Sequence, residues 1–179
     1  GLMTDAQFNT GTRSQPLGDP KAGVSTDLDA LAAYVASLNT ADPTPYRQAD
    51  GSLTTAAVAG RSVFAAQCIS CHGGADFTDS AGGALRNIGT LKASSGNRLG
   101  GALTGIDTPT LRDVWATAPY LHDGSAGTVE AAIQAHNGFT PGATDLANVA
   151  AFVRQIGREE AAVTGASATA SAIWGSSSG

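Results

Sequence analysis

The sequence is poor in the residues from which several kinds of site are built. Among 179 residues there are two cysteines, Cys68 and Cys71, three histidines and a single methionine, Met3. A zinc site would want two or more further Cys or His at finger spacing, and the sequence does not supply them. Charged residues make up 14% of the chain, its net charge is −5, and Lys and Arg are nowhere clustered. That balance argues against nucleic acid or an anionic membrane surface as partner. No window approaches the ~20 apolar residues of a membrane span, and the opening GLMTDAQFNTGTRSQP lacks the basic and apolar regions of a signal peptide. A polar, glycine-rich opening without a first methionine reads as a mature or excised fragment.

What is abundant is glycine, 23 residues, which implies much irregular backbone. Nine of these glycines fall between Gly73 and Asp107, where no helix-length apolar pattern occurs. So long a structureless stretch is expected only if it wraps something. The length suits one modest core and one main domain.

Helical spacing appears in four places. TDLDALAAYVASLN carries Leu28, Leu31, Tyr34, Val35 and Leu38 on one face, with Thr26 or Asp27 to cap it and Asn39 to end it. After the proline-bearing ADPTPYRQADG, a linker or tight connection, Thr54 or Thr55 starts a helix that runs into Cys68. Thr128 reads as an N-cap, with Glu130 in the first turn, for a helix ending near His136. The last helix spans about Thr144 to Ile156, with Leu146, Val149, Ala150, Val153 and Ile156 inward. A short helical turn is expected from about Thr110 to Ala116. Residues 28–39 and 146–157 align without a gap, apolar on apolar at nearly every inward position. The Ala/Ser/Thr/Gly-rich tail reads as a linker or flexible terminus in which Trp174 could dock.

Cys68-Ile69-Ser70-Cys71-His72 is C-x-x-C-H. This is the attachment pattern of c-type haem, two thiols adding to the vinyl groups while the adjacent imidazole reaches the iron. A thioredoxin-like redox pair would want a strand before the motif, whereas a helix precedes it here.

GRSVFAAQCISCHG resembles the first helix and attachment motif of class I cytochromes c, and LANVAAFVRQI resembles their closing helix. The resemblance implies that Gly60 lets these two helices cross closely and that Phe64 packs near Phe152 or Val153. More specifically, CHGGADFTDS, LRNIGTL, the run TPTLRDVWATAPYLHDGSAGTVEAAIQAH and the final helix resemble the C-terminal haem domain of the bacterial dihaem cytochrome c peroxidase and MauG-like family, over about residues 54–157. This second resemblance implies an all-α, class I cytochrome c-like fold with long irregular loops wrapped around one covalent haem c. Because that family carries tandem cytochrome c domains, residues 1–50 are expected to be the end of a preceding one, 51–160 the haem domain and 161–179 a flexible tail.

With His72 on one face of the iron, the opposite ligand decides between electron transfer and chemistry at an open iron. The family takes that ligand from the end of the short helix after its T-[LV]-E turn, commonly Met or Tyr; here Thr128-Val129-Glu130 leads to His136. A neutral imidazole is a good ligand, although His136 could equally complement a helix C-terminus. His122 is the alternative ligand, with a structural hydrogen bond from its turn as its other role, and Met3 lies too far upstream. Arg112 is the first candidate for pairing a haem propionate, with Arg98 behind it. Phe77, Trp115 and Tyr120 are expected where core and cofactor contact merge. Arg86 stands where relatives of the family often have histidine, which leaves any function of that histidine untransferred.

The expected function is electron transfer through a bis-histidine haem, with a redox partner protein, a neighbouring haem domain or other haem-bearing chains as partners. The acidic charge suits a basic redox partner. The rival expectation is a peroxidase- or MauG-like haem enzyme. Covalent haem attachment places such a protein in the periplasm or outside the cell.

Overall fold

Thr54 begins the central helix because its hydroxyl can accept a hydrogen bond from an otherwise unpaired amide of the first turn, here that of Ala57 at 3.3 Å. In the computed structural model this helix spans Thr55–Gln67, after an upstream helix, α1, Thr26–Ser37; we call it α2. The cap of α1 is Ser25, one residue before the positions expected from sequence. Helix α2 runs through Cys68 into a single turn, α3, Ile69–His72. A short helix α4, Val129–Gln134, and the closing helix α5, Ala143–Val153, follow the long loop region. The structure describes residues 23, 25–98 and 100–164. Met3, Trp174 and most of the expected tail lie outside them, as does the Arg98 side chain.

The regular structure is mostly helical, with a few very short strands that an all-α reading did not anticipate. Within the glycine-rich loop, β1 (Leu85–Arg86) pairs antiparallel with β4 (Ile106–Asp107), and β2 (Asn97–Arg98) with β3 (Gly101–Ala102). Strands of two residues leave no alternating pattern, so periodicity could not reveal them. The helical turn expected from Thr110 is confined to a 3₁₀ turn, Val114–Ala116, because Asp113 before it adopts a left-handed conformation with φ 58°.

The core lies where α2 and α5 cross. A Cβ on Gly60 would stand 1.9 Å from the Asn148 carbonyl oxygen and 2.8 Å from the Val149 nitrogen, so only glycine permits this approach. Around the crossing Ala57, Phe64, Val149, Ala150, Phe152, Val153 and Ile156 are buried. Phe64 meets Phe152 edge-on with ring centres 5.2 Å apart, and Phe77 at 6.0 Å. Each such ring contributes about 1.5–3 kcal/mol through burial alone.

The proline-bearing segment after α1 is a tight connection. Thr44 Oγ1 donates to the Arg154 carbonyl at 2.7 Å, Arg47 Nη2 to the Gln155 carbonyl at 3.1 Å, and the Arg47 guanidinium pairs with both Glu159 and the buried Glu160. Gln155 completes the lock, accepting from Thr54 N at 3.0 Å and donating to Thr54 Oγ1 at 2.9 Å. The end of α5 is thereby fixed to the start of α2.

Candidate haem site

Cys68 closes α2 and opens α3, and the amides of Cys71 and His72 return to its carbonyl at 3.2 and 2.9 Å. That one turn carries both thiols and the imidazole, all partly buried. Burial, reinforced by Cys71 alongside, pushes the Cys68 thiol up to about 11. A dithiol redox site needs the opposite, a thiol shifted downward towards the thiolate. Nor is there, among the described residues, a group of three or more His, Cys, Asp or Glu placed to hold a metal ion by themselves.

His72 is oriented from the loop that comes after it. Its Nδ1–H donates to the Phe77 carbonyl at 3.2 Å. Phe77 is fully buried and held at φ 53°, an uncommon conformation for a bulky residue. What holds it there is the run Thr108-Pro109-Thr110. Thr78 Oγ1 donates to the Thr108 carbonyl and Thr110 Oγ1 to the Asp76 carbonyl, both at 2.6 Å. Chiefly through burial, with His136 pressing the same way against the pull of the Phe77 carbonyl, the His72 ring is held below its ordinary range. It is therefore neutral at pH 7, the form that ligates metal.

Across from it stands His136, one residue past the C-cap of α4, with ring centres 6.5 Å apart and planes inclined at 56°. The His136 Nδ1–H donates to the Ala132 carbonyl one turn back, at 2.8 Å. Each imidazole thus has Nδ1 occupied by a backbone carbonyl and Nε2 left as its free nitrogen, the second-sphere arrangement typical of histidine ligands. Thr128 caps α4 by accepting from Ala131 N at 3.1 Å. Glu130 is bound by Arg154 at the end of α5, and Asn137 N donates to the Ile88 carbonyl at 2.9 Å. Asn137 also packs so tightly on Gly89 that a Cβ there would lie 2.1 Å from its side chain.

Other expected site residues are distributed differently. His122 is exposed, its Nε2 bonded to Ser95 Oγ at 2.9 Å beside the Lys92–Asp123 ion pair. Arg112 faces the protein's own backbone: its guanidinium donates to the carbonyls of Ala75, Gly157 and Glu160 and lies 5.3 Å over the Phe77 ring. The donors assigned from sequence to a propionate are engaged in bracing the His72 loop. Arg86 pairs with Asp79. Tyr120 packs on the core and bridges to Ala126. Trp115 meets Tyr46 at 6.4 Å, its buried Nε1 without a partner. Sequence reasoning missed Thr78, Thr108 and Thr110, whose threonine-proline-threonine pattern was the available clue.

These residues fit covalent haem: two thiols and a neutral imidazole on one turn, a second imidazole facing the first, and an orphaned buried indole N–H able to meet a carboxylate. Comparison with known proteins points the same way. Residues 105–141 match the family described as RoxA-like, cytochrome c-like. The chain is 33% identical to hydrazine synthase subunit gamma of Kuenenia stuttgartiensis over 57% of its own length, and spans 38% of that relative. A chain of the Kuenenia stuttgartiensis hydrazine synthase structure pressurised with 20 bar xenon superposes with a TM-score of 0.50 and 26% identity, over 72% of this chain and 54% of that one. The attachment motif, the crossed helices and these similarities together show that the chain carries a cytochrome c-like domain, a domain type that implies covalently bound haem c.

Proposed function

We propose that this domain transfers electrons through one haem c, attached at Cys68 and Cys71 and held axially by His72 and His136. The observation that carries the reading is the facing pair of imidazoles, each with Nδ1 tied to a carbonyl. A metal–imidazole nitrogen bond of about 2.0–2.1 Å sets two ring centres on one metal about 6.2 Å apart, close to the separation seen. Haem bound this way supplies a one-electron couple at a six-coordinate iron, with a lower potential than a His/Met site. The protein's own part is to keep both rings neutral, fix their tautomers and hold their spacing. The resemblance to dihaem peroxidases and MauG-like proteins supports the same attachment; a peroxidase-like activity would require an open or displaceable iron position, and His136 stands where that opening would be.

Partners in this reading are a redox protein or a neighbouring haem domain. The relative's name, a synthase subunit, supports assembly with other chains. Haem attachment favours the periplasm or the exterior, and among the described residues no helix is long and apolar enough to cross a membrane. The test is low-temperature EPR of the ferric protein with its near-infrared absorption. A low-spin spectrum of bis-imidazole type supports the proposal; a high-spin ferric iron, or a thioether charge-transfer band, would sink it.

A further inference from the structure

Helix α1 runs for twelve residues and buries none of them. Its apolar face, Leu28, Leu31, Tyr34, Val35 and Leu38, is 40–65% exposed, the largest run of exposed apolar side chains among the described residues. Random composition would not put five such residues on one helical face, and an uncovered face of this kind marks an interaction site.

The structure also shows what covers such a face. Residues 26–39 align without a gap on 144–157, which contain α5 from its second residue on, and six of these fourteen positions are identical: Thr26/Thr144, Asp27/Asp145, Leu28/Leu146, Ala32/Ala150, Ala33/Ala151 and Val35/Val153. At the positions where α5 is most deeply packed, the correspondence holds in kind. Val149, Ala150, Phe152, Val153 and Ile156 are at most 5% exposed and answer to Leu31, Ala32, Tyr34, Val35 and Leu38. The α5 face sits on a helix that has glycine at the crossing and phenylalanine one turn later, Gly60 and Phe64. The position over that glycine, Asn148, answers to Ala30, which is small enough for the same approach.

We propose that α1 is a docking helix for the opening helix of a second cytochrome c-like domain, packing on it as α5 packs on α2. A second copy of this chain is a poor occupant, because its own α2 face is already covered by α5. Two α1 helices pairing face to face would have only twelve residues each to do it with, and helices that short are marginal unless packed on something larger. The proposal does not depend on the identity of the axial ligands.

The test uses the full haem-loaded chain and, as probe, a fluorescent stapled helical peptide with the sequence Thr54–Gln67. The peptide is expected to bind. Its affinity should fall at least tenfold for the chain carrying Leu31→Asp with Leu38→Asp, and equally when the peptide's glycine at position 60 is replaced by leucine. Both Asp substitutions lie on an exposed face, so the haem spectrum reports that the domain remains folded. Absence of binding, or binding indifferent to either change, overturns the proposal. So does sedimentation showing that the unmodified chain dimerises and that the Asp variant does not, which would give the face to a second copy.

Discussion

Replacing His136 by glycine tests the ligand assignment most directly, because the vacated space can be refilled chemically. The two ring centres lie 6.5 Å apart, about 0.3 Å more than the ~6.2 Å that two metal–imidazole bonds require. Free imidazole can therefore occupy the position of the lost ring with little movement, and its own N–H can reach the Ala132 carbonyl that His136 Nδ1 now occupies. His136→Gly should convert the ferric EPR spectrum from low-spin to high-spin, with a Soret band shifted to match. Millimolar imidazole should restore the low-spin form; a dissociation constant near 1 mM corresponds to about 4 kcal/mol, a reasonable return for one ligand bond and one hydrogen bond without the chelate advantage of the native side chain. The inclination of 56° between the rings, nearer perpendicular than parallel, should place the largest g value of the unmodified protein high within the low-spin range. An unchanged spectrum in His136→Gly would refute the assignment, and loss of the low-spin form in His122→Ala would transfer the role to His122.

Gly60→Ala puts a methyl against backbone at 1.9 Å and should destabilise the domain by about 1–3 kcal/mol or more, read as a lower denaturation midpoint by circular dichroism and haem absorbance together. Thr78→Val removes the bond to the Thr108 carbonyl and the acceptor for Ser80 N; a loss of about 1–3 kcal/mol is expected, with a measurable shift of reduction potential because the carbonyl that orients His72 sits next door. The Glu130 carboxyl is held below its usual 4.5, first by its hydrogen bond from Arg154. A depressed folded value means that the pair stabilises above the unfolded value and that this contribution is lost as pH falls through the folded one. For a pair this exposed the amount is about 0.5–1 kcal/mol, and Glu130→Gln should flatten the fall in stability below pH 4.5 by that much in denaturant titrations at several pH values.

The parts of the fold visible in the sequence are those encoded locally. α1, α2, α4 and α5 show themselves through apolar spacing and through caps such as Thr54 and Thr128, whose hydroxyls do accept the expected amides. The C-x-x-C-H turn is contiguous, so its three ligating groups are bound to fall on one turn. The bracing of His72 is different in kind: Thr78 reaches Thr108 and Arg112 reaches Gly157 across thirty and forty-five residues, and no period or short motif encodes such pairings. Arg112 shows the cost of reasoning by residue type alone. An arginine suits a carboxylate, but in a glycine-rich loop it suits unpaired carbonyls equally well, and here three of them reach it.

Both imidazoles are ultimately positioned from the same place. Arg112 ties the loop carrying the Phe77 carbonyl to Gly157 and Glu160, immediately after α5, while Arg154 at the C-cap of α5 holds Glu130 and so the helix that ends at His136. The segment 42–47 and Gln155 clamp this same stretch against the start of α2. The separation between the rings is then set by a short, heavily braced run, residues 154–160, and not by the glycine-rich loop between them. This division reconciles two features of the chain that otherwise conflict: a site needing two nitrogens at a fixed spacing, and a long glycine-rich stretch with little regular structure. The loop is free to follow the shape of what it encloses because it carries neither ring. Rigidity at the ligands and irregularity around them are therefore separate properties of the sequence, assigned to separate segments, and a low reorganisation of the two imidazoles on electron transfer is expected from the first without requiring the second to be ordered.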